Sequence, residues 1–206
     1  DKWIEMGKHD VKMDYTTNFT QMYYKKKTAF EYWNKFEHVR VAGSIDANHA
    51  RAEYLRKNMV WSQVVQNRRT MIEQCPHVYF ELTPTVSVYN VLNLPDFHKE
   101  WIEEGLLEPA NLRINILLDP TYMRLSILPP WIKERVMRRY DEHLDYLKQF
   151  EEIKMESIRQ DYKNILQFME QDRTNEIRMF MYKTRKTDSL REEDVFQVFP
   201  ELREIA

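Results

Sequence analysis

Apolar residues alternate with polar ones in short runs and recur at helical spacing between them. Val11-Lys12-Met13-Asp14-Tyr15 has period two and predicts a strand that gives way to Thr16-Thr17-Asn18. Val39 to Ile45 predicts a second strand, Val78 to Thr83 a third, and Leu112 to Leu118 a fourth. Pro84 supplies no N–H, so Thr85-Val86-Ser87-Val88 prolongs the third strand only with an irregularity.

The intervals read as helices. Phe30, Tyr32 and Trp33 populate a short amphipathic helix. Trp61, Val64, Val65, Arg68, Met71 and Ile72 form a longer stripe on which Arg68 alone is polar, and this helix should stop before Cys75-Pro76. Another opens at Asn93-Leu94-Pro95, with the proline in a first turn that does not need its N–H. It shows an apolar face of Phe97, Trp101 and Ile102, and Gly105 suits its left-handed end.

Four strands alternating with helices imply βαβ units and a parallel sheet, hence an α/β fold. Beyond Pro129-Pro130 the pattern becomes wholly helical: Ile132, Val136, Tyr140, Leu144 and Leu147, then Ile158, Tyr162, Ile165 and Met169. The charge-rich span Glu151 to Glu156 is the expected break between the two stripes. In the tail from Thr187 to Ala206, Asp188 and Ser189 are expected to cap a short helix. Val195, Phe196, Val198, Phe199 and Leu202 form an apolar cluster expected to dock on the body.

Composition narrows the function classes. The 206 residues carry 31 basic and 33 acidic side chains, a formal charge of −2, so no bulk field draws the chain to nucleic acid or to an anionic membrane. No apolar run approaches the roughly 20 residues of a spanning helix. Asp1-Lys2-Trp3 lacks the apolar core of a signal peptide, and a cytoplasmic location is the default expectation. Three glycines leave no phosphate-cradling loop and no dinucleotide fingerprint. One cysteine, Cys75, precludes an internal disulfide. The histidines at 9, 38, 49, 77, 98 and 143 are scattered without the spacing of a zinc site, and the acidic pairs Glu103-Glu104, Glu151-Glu152 and Glu192-Glu193 read as solvated faces.

The candidate chemistry lies at the end of the second strand. Ser44-Ile45-Asp46 places a hydroxyl and a carboxylate where α/β sheets gather ligand-binding groups, and the helix that follows carries Arg56. This segment resembles the fourth βα unit of radical S-adenosylmethionine enzymes. Tyr15-Thr16-Thr17-Asn18 resembles the turn closing their third strand, and Pro84 to Asn90 their fifth. Asn115 to Pro120, Ser126 to Pro129 and Asp194 to Leu202 resemble the subgroup with a short, twitch-type C-terminal extension, of the kind found in phage and environmental sequences.

The resemblance implies a partial (β/α)6 TIM-like barrel with four parallel strands over residues 1–130, and a helical C-terminal extension over 131–206. It implies that Ser44 and Arg56 hold the carboxylate of S-adenosylmethionine and that Asp46 meets the ribose or orients Arg56. Thr17, Asn18, Ser87 and Asn90 would line the same mouth. No metal ligand and no catalytic residue are assigned. The family's Cys-x3-Cys-x2-Cys loop, which holds a 4Fe-4S cluster, is absent, as is its Gly-Gly-Glu turn.

The expectation is a chain that begins inside the helix after the second barrel strand, with Asp1 to Met6 as that helix's end, and that is inactive alone. A cluster would come only with a barrel-completing N-terminal segment or subunit, and the substrate is unreadable. The other expectation is a non-enzymatic interaction module that binds a partner through its open edge or apolar tail.

Overall fold

The structure, a computed structural model, describes residues 2–150 and 152–206, and side chains at all of these except 152–154. It is an α/β protein. Helix α1 (Lys2–Glu5) precedes strand β1 (Met13–Thr17), and a small antiparallel hairpin, β2 (Tyr23–Tyr24) and β3 (Lys27–Thr28), leads into α2 (Ala29–Trp33). A capping box fixes the start of α2: Thr28 Oγ1 accepts from the Glu31 N–H at 3.1 Å, while the Glu31 carboxylate accepts from the Thr28 N–H at 3.2 Å. Then follow β4 (Val39–Gly43), α3 (His49–Leu55), α4 (Trp61–Gln74), β5 (Tyr79–Leu82), β6 (Thr85–Val86), α5 (Leu94–Glu103) and β7 (Asn115–Ile116).

Strands β1, β4 and β5 form a parallel sheet in that order, with Tyr15 opposite Val41 and Val41 opposite Phe80. A fourth parallel segment lies beside β5 and β6. The Arg113 N–H donates to the Leu82 carbonyl, Asn115 to Pro84 and Leu117 to Val86, each at 2.9 Å. The expected strand at 112–118 is thus shorter as a regular element. Its outward-facing Ile114 N–H meets no further strand and donates instead to Asp161 Oδ2 at 3.1 Å. The irregularity expected at Pro84 is present as the break between β5 and β6.

Gly43 is required where β4 meets β5. A Cβ there would lie 2.8 Å from the Phe80 ring, closer than side-chain carbons approach. Gly43→Ala is therefore expected to push Phe80 off its seat and to destabilise the fold by about 1–3 kcal/mol. Urea denaturation of the two proteins checks this, and an unchanged midpoint would show that the ring relaxes freely.

The C-terminal part comprises α6 (Pro130–Leu147), α7 (Glu152–Met169), α8 (Ile177–Arg191), α9 (Val195–Val198) and a 3-10 turn at Pro200–Ile205. Contrary to the break expected over Glu151 to Glu156, residues 152–156 open α7 and the chain leaves α6 at 148–150, while Glu151 itself lies outside the described residues. A single hydrophobic core runs from Phe19 to Ile205, taking in Val41, Phe80 and Trp101 with Val136, Tyr162 and Phe180. The Tyr140 hydroxyl, fully buried on α6, donates to the Val91 carbonyl at 3.0 Å and ties the helical part to the sheet part.

Asp188 and Ser189 do not cap a short helix. They belong to the last turns of the continuous α8, which ends in the left-handed Glu192, and Asp194 caps α9 by accepting from the Phe196 N–H at 2.9 Å. Asp188 instead clamps the tail to the body, accepting from the Tyr54 hydroxyl at 2.6 Å and from the Val195 N–H at 2.9 Å. Val195, Phe199 and Leu202 are buried, and Phe199 packs edge-on against Tyr54.

Candidate functional site

Parallel strands bring their C-terminal ends to one edge of the sheet, and the loops there are free to carry polar groups. Asp46 follows β4 in such a loop, and Arg56 ends α3. The guanidinium donates through Nε at 3.0 Å and Nη2 at 2.8 Å to Asp46 Oδ2, a two-pronged grip on one oxygen. The other oxygen, Oδ1, accepts from the Thr85 N–H at 2.8 Å and so joins the ends of the second and third strands.

Asn90 completes the junction. Its Nδ2 donates to the Asp46 carbonyl at 2.7 Å and to the Thr85 carbonyl at 3.0 Å, and its Oδ1 accepts from the Ser87 N–H at 2.8 Å. Asp46, Arg56, Thr85, Ser87 and Asn90 are thus one connected network. Asn90 and Ser87 are buried and commit their hydrogen bonds to it, so they fix the position of Asp46 from behind.

The remaining sequence candidates are less tightly joined. Ser44 is half-buried next to Asp46, and its N–H donates to the Thr17 carbonyl at 2.8 Å. Among the described residues its hydroxyl takes no partner. Thr17 Oγ1 accepts from the Phe19 N–H at 3.0 Å, and Asn18 Oδ1 accepts from the Thr20 N–H at 3.2 Å and its hydroxyl at 2.7 Å. Both are turn formers that hold the left-handed Phe19 (φ 59°), and neither side chain is bonded to the Asp46 network.

One face of the sheet meets the helices. Tyr15 packs edge-on against Trp33 of α2, and Phe80 lies between Arg68 of α4 and Trp101 of α5. The opposite face carries a charged ladder: Arg40 on β4 donates to Asp14 Oδ1 on β1 at 3.0 Å and to the carboxylate of Glu81 on β5. Glu81 is only 3% exposed. The hydrogen bond that Arg40 donates to Asp14, and after it the charge of Glu81, raise the pKa of Arg40. The strand alternation in Met13-Asp14-Tyr15, Val39-Arg40-Val41 and Phe80-Glu81-Leu82 is the signal that puts all three on one side.

The histidines are not all scattered. His98 of α5 and His143 of α6 are buried together, with His98 Nδ1 2.9 Å from His143 Nε2. His98 Nε2–H donates to the Pro109 carbonyl at 3.2 Å, which leaves its Nδ1 as acceptor and makes His143 the donor between the rings. Burial holds both well below the ordinary imidazole pKa.

Neither histidine has the ligand company of a metal site. Among the described residues no three His, Cys, Asp or Glu side chains converge as a metal site would need. Cys75 is buried at the opposite end of the sheet from Asp46, with its Sγ toward the Phe30 carbonyl, and burial raises its pKa so that it stays a thiol. No helix among the described residues is long and apolar enough to cross a membrane. Comparison with family models, with curated proteins and with solved structures gives no match to this chain.

Proposed function

We propose that this chain is the C-terminal portion of a radical S-adenosylmethionine enzyme, contributing the carboxylate-binding side of the cofactor site and no cluster ligand. The observation that carries the reading is the Asp46–Arg56 pair, set by Asn90 and Thr85 at the C-terminal ends of parallel strands that lie side by side in chain order. Strand order without reversal, with helices on one face, is how a (β/α) barrel winds, whereas a doubly wound sheet reverses.

Arg56 is one-third exposed at its side chain and keeps donors beyond the two given to Asp46, so it can grip a carboxylate while Asp46 holds its plane. The unpartnered hydroxyl of Ser44 is the second donor within the same loop. Ser87 and Asn90 contribute by holding Asp46 from behind, and Thr17 and Asn18 by shaping the turn beside Ser44. S-adenosylmethionine, once reduced, supplies a 5′-deoxyadenosyl radical for hydrogen abstraction. This chain's own residues bind and orient that cofactor.

A 4Fe-4S cluster does not fit the residues present, because the one cysteine is buried far from Arg56 and three thiolates are needed. A cluster-bearing segment, continuous with this chain or separate, would therefore seat on the free edge of β1. Met13 N–H and the Thr17 carbonyl are bonded toward β4, so by alternation the peptide groups of Asp14 and Thr16 face away from the sheet. Among the described residues no strand covers them. Beside this edge lies a cavity of about 580 Å³ lined by Trp3, Met13, Tyr15, Tyr23 and Tyr24. The same edge favours the second reading, a non-enzymatic module that recruits a partner by strand addition.

The test is calorimetric titration of S-adenosylmethionine into the chain supplied with a Cys-x3-Cys-x2-Cys segment. Binding is expected, and Arg56→Ala should weaken it about tenfold or more. Equal binding by Arg56→Ala would overturn the site. No binding by either protein, with strand addition intact, would favour the module.

A further inference from the structure

At the other end of the sheet, Arg68 stands out. It sits on the apolar stripe of α4 and is 9% exposed, yet no carboxylate pairs with it among the described residues. Its Nε–H donates to the Leu106 carbonyl just past the end of α5 at 2.8 Å, and its guanidinium plane lies 4.0 Å from the centre of the Phe80 ring. Among the described residues, that leaves the four Nη N–H bonds without a protein acceptor. Neither Nη is among the fully enclosed unpartnered atoms, so each keeps some exposure, and Arg68 is one of the residues that line the adjoining cavity.

The cavity holds about 430 Å³ beneath the start of β5. Its walls are apolar at Ile72, Val78 and Leu107, with polar groups from His77, whose ring meets the Trp33 carbonyl at 3.3 Å, and from Tyr79 and Asn111, which are bonded to each other at 3.2 Å. The negative charge that acts on Arg68 is that of Glu108, an exposed residue that lines the same cavity and makes no hydrogen bond to the guanidinium. Burial lowers the Arg68 pKa to about 10, so the group is cationic at neutral pH.

A helix-end cap would need one donor, and a lysine or glutamine would serve. A buried guanidinium with its forked face turned to a cavity is instead the arrangement that receives an oxyanion two-pronged. We propose that this cleft is a binding site for a small organic anion, a carboxylate or phosphate group gripped by the two Nη groups of Arg68 with its apolar portion against Ile72, Val78 and Leu107. The site lies away from Asp46 and Arg56 and stands whether or not the chain serves a radical enzyme.

Benzoate and inorganic phosphate, titrated separately into the whole chain by calorimetry, test it. At least one should bind with one-to-one stoichiometry, and which one does distinguishes an organic carboxylate from a phosphate source. Arg68→Gln should weaken that binding by about tenfold or more, and Glu108→Gln, which removes the competing charge from an exposed position, should tighten it severalfold. Circular dichroism establishes that each variant is folded. If Arg68→Gln fails to fold, Glu108→Gln decides, and an affinity unchanged by it overturns the proposal. Absence of binding by both anions, or equal binding by Arg68→Gln, overturns it as well.

Discussion

Arg40→Ala is expected to destabilise the protein by about 3 kcal/mol at neutral pH, far more than loss of a surface ion pair would. Glu81 is the reason. Its side chain is 5% exposed, whereas that of Arg40 is 50% exposed and that of Asp14 71%. Removing a cation from beside a buried carboxylate leaves a charge with neither water nor partner. The figure stands at the low end of the range for fully buried pairs because water reaches the Arg40 end.

The pairwise character of the effect makes it separable from packing loss. Glu81→Gln in the Arg40→Ala background should recover most of the loss, since a neutral amide tolerates the site better than an unpaired carboxylate. Asp14→Asn alone should cost little, because Asp14 is mostly in water. Urea midpoints of the parent, the three single variants and the double variant check this. Strict additivity of Arg40→Ala and Glu81→Gln would show that the two side chains are not coupled.

Much of this architecture was legible because one residue in two or one in four decides burial. The alternation in Val39-Arg40-Val41 and Tyr79-Phe80-Glu81-Leu82 identified both strands, and the apolar spacing of α4 and α6 identified the helices. What joins Asp14, Arg40 and Glu81 is strand register, which a linear pattern does not contain. The Asp46–Arg56 pair was within reach because ten residues separate its members, but the anchoring by Thr85 and Asn90 comes from 39 and 44 residues away.

Asp188 shows a different limit. A carboxylate beside a serine caps a helix start on sequence grounds, yet here it closes a helix end, because Tyr54 and the Val195 N–H are brought to it by tertiary packing. Arg68 was visible as the one polar residue on its stripe, and only the cavity in front of it gave that anomaly a meaning.

The His98–His143 pair, 45 residues apart, should dominate the acid sensitivity of the fold. In the native protein both imidazoles are neutral. His98 gives its one N–H to Pro109 and accepts from His143, so a proton added at His98 Nδ1 would set two N–H groups against each other. Lys99, on the same helix as His98, adds positive charge to the His143 environment, and the rings of Tyr146 and Tyr162 pack against it, with no carboxylate partner among the described residues. The unfolded chain takes up protons on both residues near the ordinary value of 6.5. Folded pKa values below the unfolded ones mean that the unfolded state binds more protons as pH falls. Stability is therefore full above about pH 6.5 and is lost progressively below it, with a slope of up to about 2.7 kcal/mol per pH unit for the two groups together. The carboxylates with depressed pKa, Asp172, Glu176 and Glu204, start from 3.8 to 4.5 and add to the loss only at lower pH. Urea midpoints between pH 7 and pH 5 thus isolate the histidines. His98→Gln should flatten the profile by about half, and a profile as steep as that of the parent would show that the pair is not its source.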